Sequence, residues 1–366
     1  MSLLTFPSRA LRYWKRNGRY WTLRKAGNAL LAHMALRLKL RYVPAMPLVA
    51  KLEATNACNG TCVLCPVGQK TPSGRQAGLM RWELFCELVD KLKDTLLVLD
   101  ITNWGESLIH PRALDMIRYG HQANIYTYLS TNLHTLRDEH VEGLMQCGLD
   151  ELAISLHGLS ADTYAAYQPG YDFAEACRWI ERLVDARRRL RPDGKPKIKL
   201  NFVVTAVNEH EADQMPAFAA RYGVDYVLSE PSLNVRFQIT EPMARNTPDQ
   251  ARGLIAALVD RWLPRNDSHG RPLYRRFLED PALMFSRRKI VRCAWPWTKI
   301  TFNYDGGLSV CCGSYNARHD LAHYTGQDIR ELWNCENYRR SRASFRRRPA
   351  PPGQDVLCDH CPGVLL

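Results

Sequence analysis

The stretch Cys58-Asn59-Gly60-Thr61-Cys62-Val63-Leu64-Cys65 places three cysteines at C-x3-C-x2-C spacing. It directly follows an apolar run that is typical of a β-strand, so the three thiols converge on one tight loop. A structural zinc site needs four ligands in a closed tetrahedron, whereas three thiolates leave one metal position open. An iron–sulfur cube with one iron free to bind another molecule suits this spacing and these soft ligands. The loop therefore predicts a metal cluster that takes part in chemistry.

Short apolar runs alternate with helical patterns on the C-terminal side of this loop. Six runs predict strands: Leu48–Thr55, Leu96–Ile101, Ile125–Ser130, Glu151–Ser155, Ile198–Val204 and Val224–Leu228. Five periodic stretches predict helices: Arg81–Lys93, Pro111–His121, Glu139–Cys147, Asp172–Arg189 and Glu211–Arg221. This alternation favours parallel βα units with right-handed crossovers. The expected fold class is α/β, with an open, partial (β/α)6 barrel whose chemistry lies at the C-terminal ends of the strands.

A second group of cysteines lies near the end of the sequence. Cys293, Gly306 and Cys311 form a C-x12-G-x4-C pattern, and the pair Cys358 and Cys361 follows at C-x2-C spacing. Four thiolates would give a closed, fully ligated site. On spacing alone, a structural zinc ribbon and an iron–sulfur cluster both remain open.

The first cysteine group resembles the radical S-adenosylmethionine (SAM) superfamily, and the resemblance runs from about residue 47 onward. Cys58, Cys62 and Cys65 match the triad that holds that family's [4Fe-4S] cluster, whose free iron binds SAM. The resemblance implies reductive cleavage of SAM to a 5′-deoxyadenosyl radical that abstracts hydrogen from a substrate carbon. It also implies the partial barrel as the fold. The protein orients and shields the radical, while the cofactor carries the chemistry.

Further residues match the family at one strand end after another. Asn103-Trp104-Gly105-Glu106 resembles the GGE-type motif that receives the amino group of SAM, with Trp104 in place of the first glycine. The segment Ser130-Thr131-Asn132 is similar to one that lines the SAM and substrate cavity. Ser155 is similar to a serine that contacts SAM, and the segment from Val204 to one that supports the adenine. The implied SAM-binding residues are Gly105, Glu106, Ser130, Thr131, Asn132, Ser155 and Val204.

Two residues depart from the family pattern. His157 stands where an aspartate is common, and Gln168 stands where many relatives carry an arginine for the SAM carboxylate. A neutral amide cannot replace that bidentate charge pairing. Lys199 is one candidate to take over the carboxylate. For His157, a turn histidine satisfied by the backbone is preferred over a substrate-side acid or base.

The second cysteine group resembles a "twitch" subdomain, the shortened form of a SPASM domain that binds one auxiliary [4Fe-4S] cluster. The implied ligands are Cys293, Cys311, Cys358 and Cys361, and the glycine spacing favours Cys311 over its neighbour Cys312. The further C-x5-C-x3-C stretch of a full SPASM domain is not found, so one auxiliary cluster is expected. Because four protein ligands leave no iron open, the resemblance implies an electron conduit.

These cofactors favour a net oxidation of the substrate. Abstraction of hydrogen from a carbinol carbon, loss of the hydroxyl proton and transfer of one electron to the auxiliary cluster add up to a dehydrogenation. We therefore expect a radical SAM oxidoreductase that acts on a sugar, a polyol or a lipid-linked metabolite. The resemblance also implies an external one-electron reductant such as flavodoxin or ferredoxin. The alternatives are a peptide-modifying maturase, a radical SAM epimerase and a non-catalytic iron–sulfur electron-transfer protein.

The first 50 residues are strongly basic. They carry ten Lys and Arg residues and no Asp or Glu, in a chain whose net charge is +13. Aromatic and aliphatic residues lie between these charges, which predicts one or two basic amphipathic helices broken near Gly18. Such helices suit an anionic membrane surface, and they equally suit packing on the main domain with the charges in solvent. No nucleic-acid-binding motif is found, so a nucleic-acid partner is not expected.

The sequence also suggests a location and a division into parts. Neither a membrane-spanning stretch nor a secretory signal is found, so we expect a cytoplasmic protein, peripheral at the inner face of the membrane. The expected parts are a basic helical extension at 1–46, the partial barrel at 47–230, a helical bridge at 231–292 and the auxiliary-cluster subdomain at 293–366. The elements expected in the last two parts are helices at Asp249–Trp262 and Tyr274–Arg287, a hairpin of Trp297–Asn303 with Leu308–Cys311, and a helix near Ile329–Phe345.

The remaining cysteines are not expected to form disulfides in a reducing compartment. Cys86, Cys147, Cys177 and Cys335 stand alone and are expected to be small buried hydrophobic residues. In an epimerase, a cysteine that faces the cavity would donate hydrogen, and the candidates are Cys147, Cys177, Cys312 and Cys335.

Overall fold

The structure is a computed structural model that describes residues 18–231, 248–266, 279, 293–346 and 356–361. Its strands form one nine-stranded sheet in the order β6-β5-β4-β3-β2-β1-β7-β8-β9. The strands are β1 (Val49–Leu52), β2 (Val98–Asp100), β3 (Tyr126–Thr131), β4 (Glu151–Ser155), β5 (Lys197–Val203), β6 (Asp225–Ser229), β7 (Lys299–Phe302), β8 (Gly307–Ser309) and β9 (Ala322–His323). Strands β1 to β6 pair in parallel in chain order, which confirms the predicted α/β partial barrel.

The helices lie between these strands and before them. They are α1 (Leu23–Leu38), α2 (Trp82–Leu92), α3 (Ala113–Gln122), α4 (Asp138–Gln146), α5 (Ala161–Tyr167), α6 (Phe173–Leu190), α7 (Met215–Tyr222), α8 (Pro248–Trp262), α9 (Trp295–Thr298), α10 (Ile329–Trp333) and α11 (Glu336–Ala343). The sequence misses the short helix α5, which begins where the side chain of Ser160 caps the backbone N–H of Thr163. The five predicted crossover helices are all present.

Alternation along the strands separates the core from the interior of the barrel. In β5, Ile198, Leu200 and Phe202 are buried against the helices, while Lys199 and Asn201 are only partly buried on the other face. A strand that alternates in this way has one apolar face and one polar face. The polar faces of β1 to β5 therefore line a lumen, which opens at the C-terminal ends of the strands, where the motifs lie.

The C-terminal hairpin extends the sheet of the barrel. Strand β7 pairs in parallel with β1, so that Lys51 lies opposite Thr301 on one side and opposite Asp100 on the other. The predicted hairpin is present as β7 and β8, with Gly306 in the turn at φ +91°. The second cysteine group is therefore joined to the first strand of the barrel through backbone hydrogen bonds.

Two further expectations differ from the structure. The helix expected near Ile329–Phe345 is divided into α10 and α11, because the backbone leaves the helical conformation at Asn334 and Cys335. The helix expected at Tyr274–Arg287 lies outside the described residues. Of the basic N-terminal extension, the structure describes a 3₁₀ turn at Gly18–Tyr20 and helix α1. None of the helices within the described ranges has the length and apolar character to cross a membrane.

Candidate functional site

The three-cysteine loop leaves β1 at the open end of the barrel. Cys58 Sγ accepts a hydrogen bond from the backbone N–H of Gly60 (3.3 Å), and Asn132 Nδ2 lies 3.9 Å from the same sulfur. Burial raises the pKa of Cys58 to about 11 and that of Cys62 to about 12. The neighbouring Cys65 and Cys58 add to the rise in the pKa of Cys62, which indicates that the three side chains lie near one another. The raised pKa values favour neutral thiols, and a positively charged metal would stabilise the thiolates.

The C-terminal end of α5 and the segment after it hold this loop in place. The backbone N–H of Val63 donates to the carbonyl of Tyr167 (3.1 Å), and Thr61 Oγ1 donates to the carbonyl of Pro169 (2.7 Å). Gly60 faces the Tyr171 ring, where an added Cβ would come within 2.7 Å of the phenol oxygen. Six residues of the loop and its support thus meet across about a hundred positions of sequence. The sequence gives no sign of Tyr171, whose hydroxyl lies 2.8 Å from Asn132 Nδ2.

Gly105 and Glu106 pack directly against the start of the cysteine loop. A Cβ on Gly105 would lie 2.5 Å from the carbonyl oxygen of Ala57 and closer still to that of Thr55, so only glycine fits. The backbone N–H of Glu106 donates to Ala57 (2.9 Å). The motif therefore fixes the distance between β2 and the loop. This close approach agrees with the glycine that the sequence singles out.

The Glu106 carboxylate is buried and already engaged. It accepts hydrogen bonds from the backbone N–H groups of Leu108 (3.2 Å) and Asn132 (2.8 Å). Burial raises its pKa to about 7, although these hydrogen bonds act in the opposite direction. Glu106 thus connects the loop after β2 to the loop after β3. A direct contact of its carboxylate with SAM stays a prediction.

The other predicted SAM contacts surround the same opening in different ways. Ser130 is half-buried and its N–H donates to Thr102 Oγ1 (3.0 Å), while Thr131 is buried and its Oγ1 accepts from the N–H of Leu133 (3.1 Å). Ser155 is half-buried at the last position of β4. Val204 does not present its side chain to the opening, because that side chain packs in the hydrophobic core. Only its backbone could support a ligand.

Asn132 is the residue that joins β3 to the cysteine loop. Its Nδ2 lies 2.8 Å from Asn59 Oδ1, and its Oδ1 accepts from the N–H of His134 (3.0 Å). The ring of His134 stacks on Tyr171 with centroids 3.9 Å apart. An amide N–H directed at the Cys58 sulfur stabilises a thiolate there.

The two departures from the family pattern prove to be neighbours. Burial lowers the pKa of His157 to about 3, so its ring is neutral, and its Nδ1 accepts from the backbone N–H of Val203 (3.1 Å). This agrees with a histidine satisfied by the backbone. Gln168 Oε1 accepts from the N–H of His157 (3.4 Å), whereas the fully buried Gln168 Nε2 has no hydrogen-bond partner among the described residues. Lys199 forms an ion pair with Glu151, at the opposite end of β4 from Ser155, and its assignment to the SAM carboxylate stays a prediction.

A carboxylate that the sequence misses connects the two cysteine-bearing parts. Glu53 is buried immediately after β1 and accepts the N–H groups of Trp104 and Tyr304, each at 3.2 Å. Burial raises its pKa. The Trp104 ring also meets Tyr315 edge to face, with centroids 5.1 Å apart. The tryptophan that replaces the family's glycine thus contacts the C-terminal part.

Arg75 makes a second connection between the same parts. Its guanidinium pairs with Asp305 (Nε to Oδ2, 3.0 Å) and with Asp320. Asp305 belongs to the hairpin turn, and Asp320 precedes β9. For the connections made by Glu53 and Arg75, the sequence offers one signal only, which is a charged side chain near an apolar strand.

The cysteines of the second group have one another, or α11, as neighbours. Cys293 lies near Cys361 and Cys312, since their charges add to the rise that burial imposes on its pKa, to about 11. The buried Tyr338 lies near both Cys311 and Cys358. The loop that carries Cys358 and Cys361 is held to α11 by Asp359, which pairs with Arg340 (3.1 Å) and accepts from Ser344 Oγ (2.6 Å).

Cys312 lies near charged residues of β1, β2 and β7. Burial raises its pKa, and the charged groups nearest to it are Lys51, Lys299 and Asp100. Its three companions as candidate hydrogen donors lie elsewhere: Cys147 and Cys177 lie on the helical layer outside the barrel, and Cys335 begins α11. Cys147 alone of the four isolated cysteines is fully buried, whereas Cys86, Cys177 and Cys335 are partly exposed, so the expectation of buried residues is wrong for those three.

The lumen beside Cys312 carries an uncompensated cation. Lys51 forms an ion pair with Asp100, whereas the Lys299 ammonium has no ion pair or hydrogen bond among the described residues. Its Nζ lies 4.2 Å above the Trp295 ring, and burial lowers its pKa. In the same row, Thr301 is fully buried and its hydroxyl has no partner within the described ranges. A cation and a free hydroxyl suit an anionic group of a bound molecule.

Sequence comparisons agree with these two centres. A family model described as the radical SAM superfamily matches residues 52–211, and one described as an iron–sulfur cluster-binding domain, SPASM, matches residues 293–362. The chain is a radical SAM protein with a C-terminal SPASM domain. It is therefore an enzyme of a family that uses SAM and a [4Fe-4S] cluster, with auxiliary iron–sulfur binding in the SPASM domain. The family, and not the spacing, decides against a zinc ribbon.

Curated relatives match about half of the chain. The tungsten-containing aldehyde ferredoxin oxidoreductase cofactor-modifying protein of Pyrococcus furiosus is 27% identical over 179 residues, 48% of this chain and 49% of that protein. The mycofactocin maturase MftC of Mycobacterium ulcerans is 27% identical over 177 residues, 48% of this chain and 45% of that protein. The chain spans about half the length of these relatives. Among solved structures, SuiB of Streptococcus suis bound to S-adenosylmethionine shares the fold, with a TM-score of 0.59 and 15% identity over 86% of this chain and 71% of that chain.

The residues present fit the cofactors that the family implies. Three partly buried cysteines on one loop, with an amide N–H directed at one of the sulfurs, suit the cluster, and Cys58, Cys62 and Cys65 would hold it. The buried Gln168 Nε2, which has no partner within the described part of the chain, is the kind of donor that a polar cofactor would satisfy. Cys293, Cys311, Cys358 and Cys361 as ligands of one auxiliary cluster stay a prediction. None of the described residues forms a group of three His, Cys, Asp or Glu side chains placed for a single metal ion.

Proposed function

We propose that this enzyme oxidises a residue of a peptide substrate inside the barrel lumen. The observation that carries the proposal is the position of the lumen between the two cysteine groups. Its open end meets the Cys58 loop, and its wall beside β7 meets Cys312, Lys51 and Lys299. A substrate in this space lies next to both centres.

The electron balance of such an oxidation uses both clusters. When bound, SAM and the first cluster supply a 5′-deoxyadenosyl radical that takes one hydrogen atom from a substrate carbon. The substrate then loses a proton and one further electron, so that two hydrogens and two electrons leave in total. The second group of cysteines, next to the lumen, is positioned to hold the acceptor of that electron. The electron that starts the reaction comes from an external one-electron reductant, such as flavodoxin or ferredoxin.

Three features support a peptide over the sugar, polyol or lipid-linked metabolite expected from the cofactors alone. First, one of the relatives is named a mycofactocin maturase, and this name denotes maturation of a product. Strand β6 pairs only with β5 among the described strands, and Tyr226 and Val227 on it are exposed, so an extended peptide can pair with this edge. Lys299 and Thr301 offer a cation and a hydroxyl to a peptide carboxylate. An epimerase that uses Cys312 as hydrogen donor is the second candidate, because this thiol lies near Lys51, Lys299 and Asp100.

Turnover of candidate peptides by the reconstituted enzyme tests this proposal. The candidates are the products of short reading frames beside its gene, incubated with SAM and a reductant and analysed by mass spectrometry. We expect the loss of two hydrogens from one residue, and reduced turnover by Lys299→Gln but not by Lys93→Gln, an exposed lysine on the surface. A polyol or sugar that is turned over while every peptide remains unchanged would contradict the proposal. Replacement of one carbon-bound hydrogen by a solvent deuterium, with no change in the total number of hydrogen atoms, would instead indicate the epimerase.

A further inference from the structure

Helix α1 packs on the barrel with its polar side chains inward. Lys25 is buried and its Nζ donates to the carbonyl of Asn124 (2.6 Å). The buried Asn28 exchanges two hydrogen bonds with the backbone of Met46. Ala32, on the same face, is fully buried. Leu36 is partly buried against the core, whereas most of the large apolar side chains of the helix lie on the other side.

The outer face of α1 carries large apolar side chains in solvent. We call these residues the apolar stripe, and their exposed fractions are Leu23 94%, Leu30 61%, Leu31 45%, Met34 48% and Leu38 64%. Their spacing of i, i+7, i+8, i+11 and i+15 places them along one side of a helix. Of the nine exposed large apolar side chains in the part of the chain that the structure describes, six lie between residues 23 and 42. A contiguous exposed patch of this kind marks an interaction site.

The surroundings of the apolar stripe are basic. Arg24, Arg37, Lys39 and Arg41 are all exposed on or next to α1. Residues 1–17 add four more basic residues and no acidic one. Any partner of this surface must therefore combine apolar material with negative charge.

We propose that the apolar stripe and its basic border bind the surface of an anionic lipid bilayer, with α1 parallel to the membrane plane. Leucine and methionine side chains enter the acyl region while arginine and lysine contact the headgroups. A second copy of the chain would bring two strongly basic surfaces together, which opposes association. A nucleic acid would use the charges but not the leucines. Of these three partners, only an anionic bilayer interacts favourably with both the apolar side chains and the positive charges of the surface.

The position of α1 in the fold sets the orientation on the membrane. Lys25 reaches Asn124 just before β3, and Tyr20 Oη donates to Asp150 just before β4 (2.6 Å). Helix α1 therefore covers the N-terminal ends of the strands, whereas the Cys58 loop lies at their C-terminal ends. On a bilayer, the open end of the lumen faces the aqueous phase. This geometry favours a water-soluble substrate such as a peptide over a lipid-linked one, while the binding itself does not depend on the proposed function.

Co-sedimentation of the full chain with vesicles tests the proposal. At about 0.15 M salt, we expect binding to vesicles of phosphatidylcholine mixed with phosphatidylglycerol and little binding to pure phosphatidylcholine. Replacing both Leu30→Gln and Met34→Gln should weaken binding about tenfold or more, because two apolar side chains no longer enter the bilayer. The matched control is Leu79→Gln, which changes an exposed leucine outside the apolar stripe.

Several outcomes would overturn the proposal. Absence of binding to the anionic vesicles, or equal binding by the double variant and the control, would exclude lipid insertion of the apolar stripe. A lower melting temperature or a changed oligomeric mass for the double variant in the absence of lipid would show that another part of the chain or a second copy covers it. For the orientation, the vesicle-bound holoenzyme should cleave SAM as fast as the free holoenzyme, and loss of cleavage on the vesicle would contradict it.

Discussion

Gly105→Ala tests the role of close packing between β2 and the cysteine loop. The added Cβ would lie 2.5 Å from the Ala57 carbonyl oxygen and closer to that of Thr55. Ordinary non-bonded contacts are about 3.5 Å, so the two backbone segments must separate by about 1 Å. Both obstacles are backbone atoms, which cannot rotate away as a flexible side chain would.

We expect this separation to affect both stability and the cluster. Overpacking of this kind costs about 1–3 kcal/mol of unfolding free energy. A displacement of about 1 Å at a reacting centre costs on the order of a hundredfold in rate. Gly105→Ala should therefore unfold at a lower temperature, bind less iron on reconstitution and form 5′-deoxyadenosine about a hundredfold more slowly.

The matched control is Gly27→Ala, on the exposed side of α1. Nothing lies within 4 Å of a Cβ added there, and alanine favours a helix over glycine by about 1 kcal/mol. This control should keep full iron binding and SAM cleavage. A Gly105→Ala variant with the iron content and SAM cleavage of the wild type would refute the reasoning.

Two further predictions follow from buried charged and titratable groups. Asp359→Asn removes one partner of the buried pair with Arg340, so we expect a loss of about 3 kcal/mol in stability and of the auxiliary iron, measured by thermal unfolding and iron analysis. The control Glu139→Gln breaks an exposed pair and should change neither quantity; an auxiliary cluster that survives in Asp359→Asn would contradict this role. The neutral His157 has a pKa lowered by burial from 6.5 to about 3, so its contribution to stability is complete above pH 6.5 and is lost as the pH falls toward 3, by up to about 1.4 kcal/mol per pH unit. Denaturant unfolding of the apoprotein should therefore show a shallower decline in this window for His157→Asn than for the wild type, and identical declines would exclude a buried neutral ring.

The parts of the site that could be predicted are those encoded in local spacing. The C-x3-C-x2-C loop needs three ligands within eight residues, so its pattern is visible in the sequence. Gly105 and Glu106 follow a strand directly, and alternation identifies the strand. Connections between distant parts of the chain could not be predicted in this way. Glu53, for example, accepts hydrogen bonds from the backbone N–H groups of Trp104 and Tyr304, which are 51 and 251 positions away.

Long-range hydrogen bonds also explain where the predicted elements fail. The helix predicted near Ile329–Phe345 divides at Asn334. The side chain of Asn334 makes two hydrogen bonds with the backbone of Val43: its Oδ1 accepts from the N–H (2.8 Å) and its Nδ2 donates to the carbonyl (3.1 Å). The N-terminal part of the chain thus stops α10 and orients α11. Helical periodicity carries no information about such a partner.

Helix α1 shows a different limit of sequence interpretation. Apolar residues are expected to face the core, and here the core face carries Lys25 and Asn28 beside two alanines and Leu36, while most of the leucines face the solvent. The reason is that the N-terminal ends of the barrel strands present backbone groups that need polar partners. Hydrophobic pattern alone therefore assigns the wrong face to this helix.

Iron content and SAM cleavage, measured together after anaerobic reconstitution, test the central claim most directly. A two-cluster radical SAM enzyme predicts about eight irons per wild-type chain, about four in Cys58→Ala with no 5′-deoxyadenosine, and about four in Cys358→Ala with SAM cleavage retained. Formation of 5′-deoxyadenosine by Cys58→Ala would contradict the assignment of the first centre. A wild-type chain with about four irons, unchanged in Cys358→Ala, would contradict the second.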